Sequence, residues 1–355
     1  MKSQEIAIIG AGFTGLTTAY ELSKKGIPVT IFEKESSPGG LAVGFNLPDS
    51  LWTIEKHYHH IFTNDTFIIN LAKEIGMEKD IIFPHSETSL YINGQIFPFN
   101  TPKDILSFPP LHFPDRFRLG AASIFLKMIP PEVAINFEKY TSSAFTNMLF
   151  GKNINRLIWD PLLSGKFSVY KDVVNAAWFW ARIKKRTLTL GYIAGGFQTL
   201  AENLAQKIQK QGGKILYKTP FSKELINQYD KIIVTTPTFG FLKLFPHLPQ
   251  KYRQNLESIP HLHALNLFLI LKDQFFQDGT YWLNINDRSF PFIAVVEHTN
   301  FIDPNYYGGK HLLYVGNYLP QNHPYLKMSE KELLNLFLPF LQKINPELNL
   351  KLKIE

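Results

Sequence analysis

Apolar and polar positions follow two periods along the chain. Ile6–Ile9 is a short run of apolar, mostly β-branched residues, as expected of a strand buried on both faces of a parallel sheet. Leu16, Ala19 and Leu22 then recur at helical spacing, to about Lys25, where Gly26 supplies a stop. PVTIF at 28–32 is a second apolar run, so the opening predicts strand, helix, strand. SLYINGQIFPF at 89–99 predicts a hairpin turning at Asn93-Gly94. From 117 to about 186 the spacing is largely helical, with interruptions expected at Pro130-Pro131, Gly151, Pro161 and Gly165. Leu200, Leu204 and Ile208 mark an amphipathic helix between Gly195-Gly196 and Gly212-Gly213, followed by strands from Lys214 and over 229–237. The stretch 263–318 reads as several strands, forming an antiparallel sheet. A last helix over 329–344 opens with Ser329-x-x-Glu332, a capping box.

The first loop carries chemistry. Gly10, Gly12 and Gly15 fit G-x-G-x-x-G, with Ala11, Phe13 and Thr14 between them. The first glycine permits the turn, the second lets a diphosphate approach the backbone, and the third lets helix and strand pack closely. The helix amino end would face the phosphates with N–H groups and a partial positive charge. Glu33 closes the second strand, where a carboxylate accepts bonds from ribose hydroxyls and repels a 2′-phosphate. Strand, glycines, helix, stop, strand and acid in this order predict dinucleotide binding.

Composition narrows the rest. With 355 residues the chain has room for two domains, and 45% hydrophobic against 19% charged residues supports a sizeable core and argues against disorder. Aromatics at 14% suit core packing and also an apolar cavity, and Trp178, Phe179 and Trp180 are read as core. The net charge of +7 admits anionic partners, but the densest basic run, ARIKKR at 181–186, reads as a solvated helix face. No basic stretch is interleaved with stacking residues, so nucleic acid is not an expected partner. The absence of cysteine excludes disulfides, thiolate catalysis and cysteine-ligated metals. WTIEKHYHHIF at 52–62 holds three of the 11 histidines; if 55–61 is extended, His57 and His59 share a face, but no third ligand has suitable spacing and no metal is expected. Lys2 is followed almost at once by a strand pattern rather than a leader, and no apolar run reaches membrane-spanning length, so a cytoplasmic location is expected.

After Glu33 comes KESSPGGLAVGF, rich in turn residues where a nicotinamide enzyme would usually enter another βα unit. GAGFTG followed by FEKESSPGGLAVGF resembles the amino-terminal signature of the flavin-dependent amine oxidase superfamily. That superfamily includes protoporphyrinogen oxidases, carotenoid desaturases and the related UDP-galactopyranose mutases. The resemblance implies FAD as cofactor, with Gly39 and Gly40 along its diphosphate, Glu33 at the ribose, and Lys34 and Leu41 flanking them. Leu41 stands where many members have arginine. It places Phe221 against the adenine and Thr235, Thr236 and Pro237 near the nucleotide, with a shortened hairpin-like link between their two strands. It sets 52–62 near the flavin ring, making Lys56 and His57 candidates for tuning it. RLIWDPLLSGKFS and AAWFWARIKKR resemble segments of protoporphyrinogen-oxidase-like proteins, where a helical cap shapes the substrate site and in some members touches the membrane.

The implied fold is α/β. A Rossmann-like FAD-binding domain with a parallel sheet spans 1–86 and 191–260, and an α+β substrate domain with a helical cap spans 87–190 and 261–355. The family's closing segment, a glycine- and aspartate-containing unit that holds the ribityl chain and flavin ring, has no counterpart before PELNLKLKIE ends, so a shortened chain is expected. The expected function is an FAD-dependent oxidoreductase taking a hydride from a bulky, largely apolar small molecule, with peripheral membrane contact in keeping with the cap. The alternatives are a flavin-dependent sugar-nucleotide mutase and a non-catalytic nucleotide-binding remnant.

Overall fold

The computed structural model describes residues 5–348. Lys2 and the end of PELNLKLKIE lie outside the described residues. In chain order the main elements begin with β1 (Ile6–Ile9), α1 (Phe13–Lys24), β2 (Val29–Phe32), β3 (Glu87–Ile92) and β4 (Gln95–Pro98). There follow α2 (Phe113–Met128), α3 (Ala176–Lys185), α4 (Phe197–Lys210), β5 (Lys214–Leu216) and β6 (Lys231–Val234). The chain closes with β7 (Leu262–Leu271), β8 (Thr280–Ile285), β9 (Ala294–Glu297), β10 (His311–Pro320) and α5 (Glu330–Ile344). Two compact units emerge: 1–59, 65–82 and 191–260 form the first, and 60–64, 83–190 and 261–355 the second.

The first unit is built on a parallel sheet in the order β5-β2-β1-β6. β1 and β2 are buried along their whole length, which explains their unbroken apolar runs. α1 packs against α4, which buries Phe197, Leu200, Ala201, Leu204, Ala205 and Ile208. Each fully buried leucine or isoleucine there contributes about 1.5–3 kcal/mol. The link between β5 and β6, expected as a shortened hairpin-like connection, is a crossover. These strands lie at opposite edges of the sheet, and the chain crosses between them through a turn of 3-10 helix, Lys223–Gln228.

The second unit has a six-stranded sheet, β7-β10-β9-β8-β3-β4. It is mixed rather than antiparallel, because β8 runs parallel to β3. The long chain between them supplies the crossover that parallel pairing requires. Side chains of β3 alternate between two cores: Leu90 and Ile92 join the helical insert, whereas Tyr91 joins α5. The β3–β4 turn has Asn93 and Gly94 at φ 52° and 81°, the left-handed pair that suits a two-residue hairpin. Ser329 and Glu332 form the capping box of α5. Phe179 is buried in the insert core, with Trp178 and Trp180 packed around it. Pro130-Pro131 and Gly151 interrupt the helices as expected; Pro161 and Gly165 do not. Pro161 sits in the first turn of helix Asp160–Phe167, and Gly165 lies inside that helix, where a Cβ would come within 3.1 Å of Ile293. Among the described residues no helix is long and apolar enough to cross a membrane.

Candidate cofactor site

The chain leaves β1 at Gly10 with φ +102°, and the Gly10 N–H donates to the Phe32 carbonyl at 2.9 Å. Gly12 is the N-cap of α1, where no side chain caps the helix and no acidic residue lies in the first turn. The helix end is therefore open to an external anion. Gly15 is required by contact: a Cβ there would sit 2.0 Å from the Gly10 carbonyl oxygen. Ala11 is fully buried, Phe13 half-buried and Thr14 exposed.

The glycine pair closes onto this loop. Gly39 and Gly40 have φ of +125° and +59°, conformations that disfavour other residues. The Gly39 N–H donates to the Ala11 carbonyl at 2.9 Å, and Gly39 forms a parallel bridge with Gly12. A Cβ on Gly40 would lie 2.9 Å from the Gly12 Cα. The two glycine segments thus make one main-chain cradle. Lys34 is exposed and pairs with Glu35 at 3.2 Å, and Leu41 is 88% exposed.

Glu33 is buried beside the loop. Its carboxylate accepts from the Ala11 N–H at 2.6 Å and the Glu35 N–H at 2.9 Å. A carboxylate has about four acceptor positions, so two stay open to hydroxyl donors. Phe221 is buried edge-on to Phe32, with ring centroids 5.2 Å apart. Thr235 donates its hydroxyl to the Ile9 carbonyl at 2.9 Å, fastening the end of β6 to the end of β1. Among the described residues the Thr236 hydroxyl oxygen, buried beside Gly10, has no hydrogen-bond partner. Pro237 is exposed and caps the helix Thr238–Leu244. An open helix end, a main-chain cradle crowded against side chains at Gly15 and Gly40, and an unsatisfied buried hydroxyl fit the ADP half of a dinucleotide.

The segment 52–62 is not the continuous strand on which a shared face of His57 and His59 depended. Only Ile54–Glu55 and Ile61–Phe62 are extended; the chain bends between them, and His59 Nδ1 lies 2.5 Å from the His57 carbonyl. The Lys56 N–H donates to the Val43 carbonyl, three residues past Gly40, while its side chain is exposed. His57 is half-buried, its ring 4.3 Å from that of Tyr58. Among the described residues no three potential ligands cluster to hold a metal.

Sequence reasoning passed over Glu55. It is fully buried, accepts from the Tyr192 hydroxyl and the Phe197 N–H, each at 2.7 Å, and so caps α4. Burial pushes its carboxyl up to about 7, only partly offset by those donors. A carboxylate among aromatic and histidine residues, with its partners some 140 positions away, leaves no local signal.

A family model described as flavin containing amine oxidoreductase matches residues 13–351. The chain belongs to this family. Membership makes FAD its cofactor and groups it with oxidoreductases. It is similar to protoporphyrinogen oxidase 2 of Arabidopsis thaliana, 24% identical over 176 residues that cover 48% of this chain and 34% of the relative. The chain spans between 20% and 34% of the length of the first curated relatives it matches. Among solved structures, an oxidoreductase from Methanosarcina mazei has the same fold, with a TM-score of 0.74 at 18% identity over 97% of this chain and 85% of that one. Reduced UDP-galactopyranose mutase also shares the fold, with a TM-score of 0.72 at 17% identity over 96% and 79% of the two chains.

Proposed function

We propose that the chain, as an amine oxidoreductase family member, oxidises a bulky, largely apolar small molecule at a C–H or C–N bond. When bound, FAD would supply the redox chemistry, with oxygen or another acceptor as the final sink for the two electrons. The observation that carries the reading is the uncapped α1 end enclosed by Gly12 and Gly40 beside buried Glu33. In this reading the loop of Gly10, Gly12 and Gly15 and the pair Gly39 and Gly40 hold the diphosphate, Glu33 takes the ribose hydroxyls, and Thr236 donates its free hydroxyl to the nucleotide. Phe221 lies against the adenine, and Lys56 and His57 tune the ring. The first unit is the FAD domain and the second the substrate domain. Purified protein should carry FAD through gel filtration and bleach anaerobically with an oxidisable donor. A colourless protein that takes up no FAD when refolded with it would sink the proposal.

A second reading, a sugar-nucleotide mutase, is favoured by Arg182 and Arg186, which form no ion pair with a carboxylate among the described residues and suit a diphosphate. Turnover of a UDP-sugar under reducing conditions alone would select it.

A further inference from the structure

The second unit contains a small pocket that opens to solvent. One wall is aromatic: the His60 ring meets those of Phe62 and Trp282 edge-on, each at 5.7 Å. Three of the polar side chains on the other walls, Asn100, Thr187 and Asn284, bond to the protein. Asn100 donates to the Ser86 and Leu188 carbonyls. Thr187 accepts from the Thr63 N–H and donates to the Thr189 carbonyl, and Asn284 accepts from the Trp282 indole.

Two charged side chains line it, Arg182 and Arg186, four residues apart at the end of α3. Arg182 is exposed, with its guanidinium over the Phe62 ring at 5.8 Å. Arg186 is half-buried, and burial, with Arg182 as second cause, pushes its guanidinium down to about 10. Both are charged at neutral pH. Two nearby lysines are turned to other work: Lys127 donates to the Arg186 carbonyl at 2.7 Å, and Lys184 donates to the Lys127 carbonyl. No carboxylate pairs with either arginine among the described residues. The carbonyl end of α3 offsets the like-charge repulsion only in part. A guanidinium fork presents parallel N–H donors that match two oxygens of a carboxylate or phosphate.

We propose that this cavity is an anion-recognition site: Arg182 and Arg186 grip a carboxylate or phosphate while the flat or apolar body of the same ligand lies against Phe62 and Trp282. The substrate of the second unit is thus an anion with an apolar body. Naming that ligand a substrate rests on the functional reading above; the anion site itself does not.

The test is titration calorimetry on the full chain with FAD supplied, using inorganic pyrophosphate, naphthalene-2-carboxylate and the neutral naphthalene-2-carboxamide. At least one anion should bind, with the carboxamide weaker by about tenfold or more. Arg186→Gln should weaken the anion by about tenfold or more, and Arg186→Lys should restore part of the loss. Arg182→Gln should weaken it less, because Arg182 is the more exposed of the two. Unchanged far-ultraviolet dichroism in each variant establishes that it has folded. Preference for pyrophosphate would assign the site to phosphate esters, and preference for naphthoate to carboxylates. Absence of anion binding by the unmodified chain, or affinities within about twofold between it and Arg186→Gln, overturns the proposal. A chain whose flavin is reduced by a donor but which shows no arginine-dependent binding loses this inference and keeps the functional reading. Arginine-dependent binding with a flavin that no donor reduces does the reverse.

Discussion

The glycine cradle of the first unit and the arginine cavity of the second recognise their ligands by opposite means. In the cradle the main chain does the holding, and side chains are excluded because a Cβ would collide at Gly15 and crowd at Gly40. In the cavity, side chains from three distant stretches, His60 and Phe62, Arg182 and Arg186, and Trp282, supply the ring faces and the charge. A main-chain site has to be contiguous and glycine-rich, so it leaves a motif. A side-chain site has to converge only in space, so it leaves none.

The sharpest way to break this contrast is Gly15→Val. Overpacking typically costs 1–3 kcal/mol, and here the clash is with main chain that cannot yield, so the cost belongs at or above the top of that range. No flavin absorbance should co-elute with the variant on gel filtration. Stoichiometric FAD would show that the loop tolerates a side chain after all.

Glu55 and Glu297 are where the two regions agree, since each is a fully buried carboxylate that accepts main-chain N–H. Glu55→Ala should cost about 2–4 kcal/mol, from two donors left unpaired, read as a lower urea midpoint. The pH dependence has a definite sign. Burial raises the Glu55 carboxyl from 4.5 to about 7 in the folded state. Below about pH 4.5 it is protonated folded or unfolded, and its relative stabilisation is complete. Stability then falls as pH rises, and above about pH 7 the loss levels off near 3 kcal/mol. Glu55→Gln should remove this part of the slope between about pH 5 and about pH 8. The fall due to Glu297, raised to about 7 by burial, should remain. An unchanged urea-midpoint profile would rule out Glu55 as its source.

Two smaller changes sharpen the comparison. Ser329→Ala removes one half of the capping box of α5 and should lower stability by about 1 kcal/mol while leaving flavin content unchanged. Loss of flavin would show that the second unit governs the cradle. Leu41→Ala, at an 88% exposed position, should change stability by less than about 0.5 kcal/mol and leave FAD affinity unaltered. A tenfold loss of affinity would mean that Leu41 touches the cofactor.

The same contrast explains what could be read in advance. The β1-α1-β2 order, the α4 face, the Asn93-Gly94 turn and the Ser329 cap rest on local periodicity or local hydrogen bonds, and each was legible. The parallel pairing of β8 with β3 and the crossover from β5 to β6 were not, because chain order does not reveal which strand a long connection returns to. Gly165 misled because glycine marks close packing as well as helix ends; Ile293, the reason for it, lies far away in sequence. Arg182 and Arg186 sat in a run read as a solvated face, since their lack of counter-charge is a fact of three dimensions.

The sheet order of the first unit also sets a timetable. Its two inner strands, β1 and β2, lie within the first 32 residues, while its two edges, β5 and β6, begin about 180 residues later. At synthesis rates of about 5–20 residues per second, a nascent chain carries that inner pair for roughly 10–40 s before either flank exists. Throughout that interval it displays two bare strand edges, the templates on which aggregates start. Thr235, which ties the last strand to the glycine loop, arrives only at the end. The ribosome therefore writes the cofactor's address early and delivers the latch late.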